Sequence, residues 1–393
     1  MESGLFALPT PFTPPTTEED ELATLRLIRS RRVGPATYFK LIAEYGTAQA
    51  ALAALPEVAR AAGVSGYAPC PEAVALAELR AGRRAGARLI CHGQPGYPAS
   101  LAEIPDAPPT LWARGDSALL ARPMVALVGA RNASSLGLRM ARKLAGGLGA
   151  AGLVVVSGLA RGIDAAAHTA AISSGTIAVL AGGVDVIYPP ENADLTQAIA
   201  ARGLLLSEQP LGQEPQARHF PMRNRIISGL VRVVVVVEAA GRSGSLITAR
   251  LALDQGREVM AVPGHPLDAR AAGCNALIRD GAALVRGAED VLALLDGVQG
   301  RPEAVADVEA GARADAPGAP RAAAPRASQA PPAPNAQPLQ ATILDRLGPS
   351  PLAEDQLIRE LALPASQIAP ELLALEIEGR IERQAGGMLA RVV

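Results

Sequence analysis

A nearly all-valine segment, residues 231–237, stands out in the hydrophobic pattern of the chain. Valine without polar alternation is typical of a strand buried on both faces, as in a parallel sheet covered by helices. Glu238 ends the segment, and a loop of Gly241, Arg242, Ser243, Gly244 and Ser245 precedes a helical pattern. This order predicts the centre of a doubly wound domain, with free loop amides that favour an anion, most simply phosphate.

The same alternation of strand and helix repeats from Met124 onward. Short apolar segments are each followed by turn residues and then by a helical pattern, which gives roughly seven strands. Alternating units of this kind predict right-handed crossovers and a Rossmann-like, mostly parallel α/β sheet. Ligands of such sheets bind at the carboxyl ends of the strands.

The segment before this domain predicts a small helical module. Thr17 fits an N-cap, with Glu18, Glu19 and Asp20 in the first turn of an amphipathic helix. Short helices follow, separated by Val33-Gly34-Pro35 and by Gly46, in an arrangement like a helix-hairpin-helix or sterile-alpha-motif unit. Such hairpins contact DNA phosphates in some proteins and only pack in others, and both readings stay open.

The C-terminal part begins with an Ala/Pro-rich segment typical of a flexible tether. Three amphipathic helices and a hairpin with its turn at Gly386 and Gly387 follow, which is the order of a winged helix. The third helix carries Glu371, Glu376 and Glu378, so it favours a protein contact at least as strongly as DNA. The predicted domains are a helical module at 1–92, the Rossmann-like domain at 93–297, the tether at 298–337 and the winged-helix-like domain at 338–393.

Composition limits the class of protein. The chain has 393 residues, 49% of them hydrophobic and 3% aromatic, and a net charge near −1, so a polyanion must be met by a local patch. Three separated cysteines indicate a reducing compartment and no structural metal. No window reaches the length of a membrane span, so the prediction is a cytoplasmic protein with no membrane partner.

The basic segment 218–225 is the strongest candidate for chemistry. An aromatic ring among cations is what single-stranded nucleic acid requires, although a solvated helix face is the competing interpretation. Pro221 suits the first helical position. The segment offers Arg218, His219, Phe220, Arg223, Asn224 and Arg225.

The other polar residues near strand ends favour structural roles. Asp164 is expected to cap a helix or pair with an arginine rather than act as a base, and His168 to pack inside a helix layer. For Glu238, an ion pair with Arg223 or Arg225 is expected in preference to a hydrogen bond to a ribose or base or a role as a general base. The loop that contains Tyr188 and Glu191 is expected to be held by its prolines.

Common enzyme signatures are missing from the loops. The first loop, VGARNASSLG, lacks GxGxxG spacing, no GxSxG elbow occurs, and GRSGSLIT lacks the lysine of a P-loop. The sequence therefore predicts neither a dinucleotide cofactor nor nucleotide hydrolysis.

Eight ordered segments together resemble the DNA-processing protein A (DprA/Smf) family. They include VGARNASSLG, VSGLARGID, SEQP, HFPMRNRIISGL and VVVVEAAGRSGSLITARLA and span about 93–297. The resemblance implies a non-catalytic, dimeric protein that binds single-stranded DNA, protects incoming strands and loads the recombinase RecA during natural transformation. It implies a DNA site that consists of Arg131, Ser134, Gly158, Arg161, Arg218, His219, Phe220, Arg223, Asn224, Arg225, Ser243, Gly244 and Ser245.

Two departures from the family pattern bear on this site. Gln216-Ala217-Arg218 stands where some relatives have a lysine, so Arg218 or His219 is expected to substitute, and Leu136 replaces a tyrosine.

Two other functions compete with single-stranded DNA binding. A phosphoribohydrolase-like enzyme would need a PGGxGTxxE loop, which AAGRSGSLITA does not match, and a tethered adaptor would act through its C-terminal domain.

Overall fold

The computed structural model describes residues 14–299, 339–347, 352–361, 363–377, 380–384 and 388–391. The chain divides into two compact units, Met1–Ala306 and Asp307–Val393. Nearly all of the predicted tether, 298–337, and the predicted turn at 386 and 387 lie outside the described residues. None of the described helices is long and apolar enough to span a bilayer.

The first unit opens with four helices. Thr17 caps the first of them as predicted: its side chain accepts a hydrogen bond from the Asp20 amide, and Asp20 caps in return. Leu27, Tyr38 and Leu52 pack in the small core that the first three helices share, whereas Ala75 of the fourth packs in a separate cluster with Trp112. The four helices are α1 (Glu18–Arg29), α2 (Pro35–Tyr45), α3 (Ala48–Ala61) and α4 (Glu72–Arg84).

A nine-stranded sheet forms the centre of the first unit, in the order β1-β2-β6-β5-β4-β3-β7-β8-β9. The seven strands from β3 onward run parallel, whereas β1 pairs with β2 and β2 pairs with β6 in antiparallel fashion. The strands are β1 (Ala87–Cys91), β2 (Thr110–Gly115), β3 (Met124–Gly129), β4 (Val154–Ser157), β5 (Thr176–Val179), β6 (Leu204–Ser207), β7 (Val233–Glu238), β8 (Glu258–Ala261) and β9 (Ala283–Leu284).

The sequence did not predict β1 and β2. The strand Ala87–Cys91 falls in the segment assigned to the helical module, yet it extends the sheet edge. Tertiary pairing explains the difference, because β2 is held by β6, about ninety residues further along the chain.

Helices cover both faces of the sheet, as the valine pattern predicts. Val234 and Val236 of β7 pack into one apolar layer, and Val233, Val235 and Val237 pack into the other. The first layer includes residues of α5, α9, α10 and α11, and the second includes residues of α6, α7 and α12. These helices and α8 are α5 (Ala99–Ala102), α6 (Ser135–Ala150), α7 (Ile163–Ala171), α8 (Ala193–Arg202), α9 (His219–Gly229), α10 (Ser245–Asp254), α11 (Ala272–Arg279) and α12 (Ala288–Gln299).

Strand order reverses between β3 and β7. From β3 the chain adds β4, β5 and β6 on one side, then crosses to add β7, β8 and β9 on the other. Loops that leave the carboxyl ends of the strands therefore diverge here and leave a crevice, the usual ligand position in an open α/β sheet.

The second unit has the predicted order of a winged helix. Three helices precede the hairpin of β11 and β12, and a short strand between the first two helices, β10, completes an antiparallel sheet of order β10-β12-β11. The core of this unit includes Ile343, Leu357 and Leu372. Its elements are α13 (Leu339–Arg346), β10 (Leu352–Ala353), α14 (Glu354–Leu361), α15 (Ala365–Ile377), β11 (Ile381–Gln384) and β12 (Met388–Arg391).

Candidate nucleic-acid interface

A cavity of about 210 Å³ opens at the carboxyl ends of β3, β4 and β5, beside the first turn of α9. We call it the carboxyl-edge pocket. Five of the predicted site residues, Arg131, Gly158, Arg161, Phe220 and Arg223, line it. The complete lining is Arg131, residues 158–161 and 180–182, Val186, residues 188–191, Pro215, Phe220 and Arg223.

An aromatic pair with a cation forms one wall of this pocket. The guanidinium carbon of Arg131 lies 5.1 Å from the centroid of the Phe220 ring. The rings of Tyr188 and Phe220 are 5.8 Å apart and tilted by 53°. A cation over a ring within about 6 Å is an attractive contact, so Arg131 is held near a π surface while it stays exposed. The wall combines stacking surface with positive charge.

Arg223 lies under the pocket and joins three chain segments. Its Nη1 donates hydrogen bonds to the carbonyls of Gly158 and Val179, both at 2.6 Å, which ties α9 to the ends of β4 and β5. A side chain at Gly158 would collide with this guanidinium. Burial lowers the pKa of Arg223 to about 10, and the nearby Asp164 opposes that shift. Arg223 therefore remains a cation at neutral pH.

Asp164 holds the loop that follows β4. Its Oδ2 accepts hydrogen bonds from the amides of Gly158, at 3.1 Å, and Ala160, at 3.3 Å. Burial raises the pKa of Asp164, and Arg223 together with the two amides counteracts the rise. The carboxylate thus supports the loop and the buried arginine, which agrees with the predicted role as a cap or arginine partner.

His168 is buried, as predicted. Its Nδ1 is 2.7 Å from the hydroxyl of Thr176 inside the α7 layer. Burial first, and Arg223 second, lower the pKa of His168 to about 3. The imidazole is neutral at physiological pH.

Arg161 is an exposed cation of the pocket. Its side chain is 60% exposed and meets Glu191 at 3.5 Å, a distance at which an exposed pair contributes little. Arg161 can therefore turn toward an anionic ligand without losing a strong contact.

The predicted pairing of Glu238 with Arg223 or Arg225 is wrong. Glu238 instead accepts a hydrogen bond from the Ser134 amide at 2.9 Å and a short one from the Ser134 hydroxyl. Ser134 is the N-cap of α6, so a carboxylate at a helix N-terminus replaces the expected ion pair. Ser134 is therefore occupied within the protein and does not line the pocket.

Arg225 also differs from its predicted position. Its Nη2 lies 2.5 Å from Glu208 Oε2 and its Nε lies 3.3 Å from Asp106, and the side chain is only 6% exposed. The periodicity of α9 turns Arg225 to the face opposite the pocket, where Glu208, directly after β6, supplies a buried acid. The structure does not bring Arg225 to the pocket.

The remaining predicted residues of the basic segment lie around the start of α9, which begins at His219 rather than at Pro221. His219 is buried and accepts a hydrogen bond from the Gln216 amide at 3.2 Å. Arg218 is exposed and Asn224 half-buried, and neither lines the pocket.

The Gly/Ser loop does begin a helix, as predicted. Gly244 is the N-cap of α10, and the hydroxyls of Ser243 and Ser245 are 2.8 Å apart. The three residues follow β7 and do not line the pocket. They form a separate polar turn at the carboxyl edge of the sheet.

Sequence reasoning missed the contribution of the loop after β5. Tyr188 and residues 180–182 of this loop line the pocket, as does Pro215 of the loop after β6. The available signal was position: this loop follows the strand next to β4, so its tyrosine had to lie at the same sheet edge.

Comparisons with known proteins identify the family. The model of DNA recombination-mediator protein A matches residues 88–296, the DprA-like N-terminal HHH domain matches 18–81, and the DprA winged helix domain matches 326–387. Protein Smf of Synechocystis is 38% identical over 313 residues, which cover 76% of this chain and 79% of that protein.

Relatives of known structure agree with this result. DNA processing protein DprA of Streptococcus pneumoniae is 50% identical over 199 residues, which cover 50% of this chain and 70% of that protein. Its X-ray structure aligns with a TM-score of 0.60 at 39% identity, over 71% of this chain and 98% of that one. DNA processing protein A of Helicobacter pylori, studied for its single-stranded DNA binding mode, aligns with a TM-score of 0.50 at 30% identity, over 54% and 96%. The chain therefore belongs to the DprA/Smf family of DNA-processing proteins.

Proposed function

We propose that this protein binds single-stranded DNA in the carboxyl-edge pocket. The observation that carries the proposal is the wall in which Arg131 lies over Phe220 and beside Tyr188. Bases stack on such rings only when they are free of a duplex, because paired bases do not present their faces. The DNA-binding mode studied in the Helicobacter pylori relative supports the same choice of ligand.

Phosphate contacts supply most of the affinity in this proposal. Arg131 is exposed and Arg161 is 60% exposed, so both reach the sugar-phosphate backbone. Each neutralised phosphate of a single strand contributes a slope of about −0.7 to log affinity against log salt. Binding should therefore fall steeply with salt and show little sequence preference.

Several other predicted residues extend or support this site. Arg218 and the turn of Ser243, Gly244 and Ser245 are proposed phosphate contacts outside the pocket, because they are polar groups at the same sheet edge. His219, Asn224 and Arg225 are proposed to support α9.

The proposed biological role is the one that the family resemblance implies. The protein protects strands that enter during natural transformation and loads the recombinase RecA onto them, without catalysis of its own. The non-catalytic role is supported by Asp164, which is committed to backbone amides beneath the pocket. RecA loading is tested by following RecA-dependent ATP hydrolysis on DNA coated with single-strand-binding protein. Acceleration by this protein is expected, and no effect would contradict the role.

A homodimer is the proposed assembly. The strand β9 is one of the two edge strands of the sheet, and both its residues, Ala283 and Leu284, are exposed. An exposed apolar edge strand is a template for pairing with a second copy. Replacing Leu284 with Arg should convert a dimer to a monomer in sedimentation experiments, and an unchanged sedimentation coefficient would place the contact elsewhere.

Fluorescence anisotropy of labelled oligo-dT tests the DNA site. Arg131→Ala and Phe220→Ala should each weaken binding of oligo-dT. A duplex of the same length should bind poorly to the unmodified protein and to both variants. Arg232→Ala is the matched control, because Arg232 is an exposed cation that precedes β7, at the opposite sheet edge. Binding that survives both pocket substitutions would move the site to the helical module or the winged helix.

A further inference from the structure

The solvent side of α6 carries a concentrated positive charge. Arg139, Arg142 and Lys143 are all exposed, and the sixteen residues of this helix include no acid. None of the ion pairs within 4 Å among the described residues includes any of these three cations. We call these three residues the α6 cationic face.

The helix geometry aligns these charges. At 3.6 residues per turn, positions 139, 142 and 143 lie within an arc of about 100°. Leu136, which is 66% exposed, lies on the same stripe one turn earlier. The stripe therefore combines three cations with an apolar side chain near the start of the helix.

Among the described residues, the acids of the neighbouring helices α7 and α12 form no ion pair within 4 Å with these cations. The acid of α7 is Asp164, which is buried and directed to loop amides. The helix α12 carries Glu289, Asp290 and Asp296, and Asp290 is paired with Arg286. The start of α12 meets α6 at Gly147, one turn beyond the last cation, where a side chain would contact Ala288.

The α6 cationic face continues directly from the carboxyl-edge pocket. The loop that bears Arg131 leads within four residues into the first turn of α6, through the N-cap Ser134. From there to Lys143 the helix rises about 13 Å at 1.5 Å per residue. At about 3.4 Å per phosphate of a stacked strand, the three cations fit at most about three phosphates.

We propose that the α6 cationic face is a second phosphate-binding surface, which holds the single strand where it leaves the carboxyl-edge pocket. This inference rests on the proposed function, because it needs a strand in the pocket. Charge complementarity and continuity with the pocket identify the ligand as the sugar-phosphate backbone. The contact is with phosphates, so it carries no sequence preference.

The test compares a long oligonucleotide with one that fills only the pocket. The variant Arg139→Gln, Arg142→Gln, Lys143→Gln keeps good helix formers at exposed positions and removes three charges. The control Arg80→Gln, Arg84→Gln, Arg88→Gln removes three exposed charges from α4 and β1. Fluorescence anisotropy follows binding of labelled dT20 directly and of dT4 by competition, and thermal melting verifies folding.

The α6 variant should bind dT20 about tenfold or more weakly at low salt and dT4 within twofold of the unmodified protein. Its salt slope on dT20 should be shallower by about 2, the value for three phosphates. The control variant should match the unmodified protein. Unchanged dT20 binding by the α6 variant, equal losses for dT4 and dT20, or equal losses in the control would each overturn the proposal. If the carboxyl-edge pocket does not bind DNA at all, Arg131→Ala will leave dT20 binding unchanged, and this result separates failure of the proposed function from failure of the second surface.

Discussion

The buried pair of Arg225 and Glu208 should stabilise the protein without contributing directly to DNA binding. Replacing Arg225 with Met keeps the volume of the side chain but leaves Glu208 without its cation. The Glu208 side chain is 12% exposed, and Oε2 lies 2.5 Å from the arginine. Burial already raises the pKa of Glu208, while Arg225 holds it down.

The magnitude follows from the burial of both partners. Removing one member of a buried ion pair costs about 3–5 kcal/mol, because the other charge stays desolvated. The second contact of Arg225, to Asp106, adds little because that carboxylate is half exposed. The melting temperature of a domain of this size falls by roughly 2–4 °C for each kcal/mol of lost unfolding free energy, so it should fall here by roughly 10 °C. Adding Glu208→Leu should restore much of the loss.

Differential scanning calorimetry measures the melting temperature, and anisotropy on dT20 at 15 °C measures binding by the folded protein. The expected result is a clear loss of stability with DNA affinity within about twofold of the unmodified protein. A variant with unchanged melting temperature and strongly reduced affinity would refute this reasoning. It would mean that the guanidinium leaves its buried position and contacts DNA.

Three further predictions test the pocket and its support. Gly158→Ala should displace the Arg223 guanidinium from two carbonyls, at a cost of about 1.5–3 kcal/mol per hydrogen bond, and so lower both stability and dT20 affinity. A variant with unchanged stability and affinity would show that these hydrogen bonds do not support the pocket. Phe220→Ala should cost about 1–3 kcal/mol of binding free energy, measured by anisotropy, whereas Phe220→Tyr should retain most of the binding. Equal affinity of Phe220→Ala and the unmodified protein would show that no base stacks on this ring. His168 has a folded pKa of about 3 against an ordinary value of 6.5, so its contribution to stability is present above pH 6.5 and is lost as the pH falls. The loss by pH 5 should be about 2 kcal/mol in urea unfolding, and His168→Asn should abolish this component of the pH dependence.

Local pattern sufficed for much of the fold. The valine segment predicted a strand buried on both faces, and β7 has alternate valines in both apolar layers. The order of the C-terminal helices and hairpin predicted a winged helix, which the second unit forms. Both features depend on periodicity within a few neighbouring residues, which the sequence displays directly.

Contacts between distant segments could not be predicted in this way. The strand β2 forms because β6 pairs with it, and Glu238 reaches Ser134, which lies 104 residues earlier. The basic segment shows the same limit. Its composition predicted a cluster of cations, but only the packing of α9 separates Arg223, under the pocket, from Arg225, in a buried ion pair.

Photochemical crosslinking tests the central claim most directly. The full chain is mixed with an oligo-dT that carries 5-iodouracil at a single position, irradiated, digested and analysed by mass spectrometry. If one base stacks in the carboxyl-edge pocket, the crosslinked peptides should contain Phe220 or Tyr188, and excess unlabelled oligo-dT should suppress them. Crosslinks confined to the helical module or to the winged helix would contradict the account.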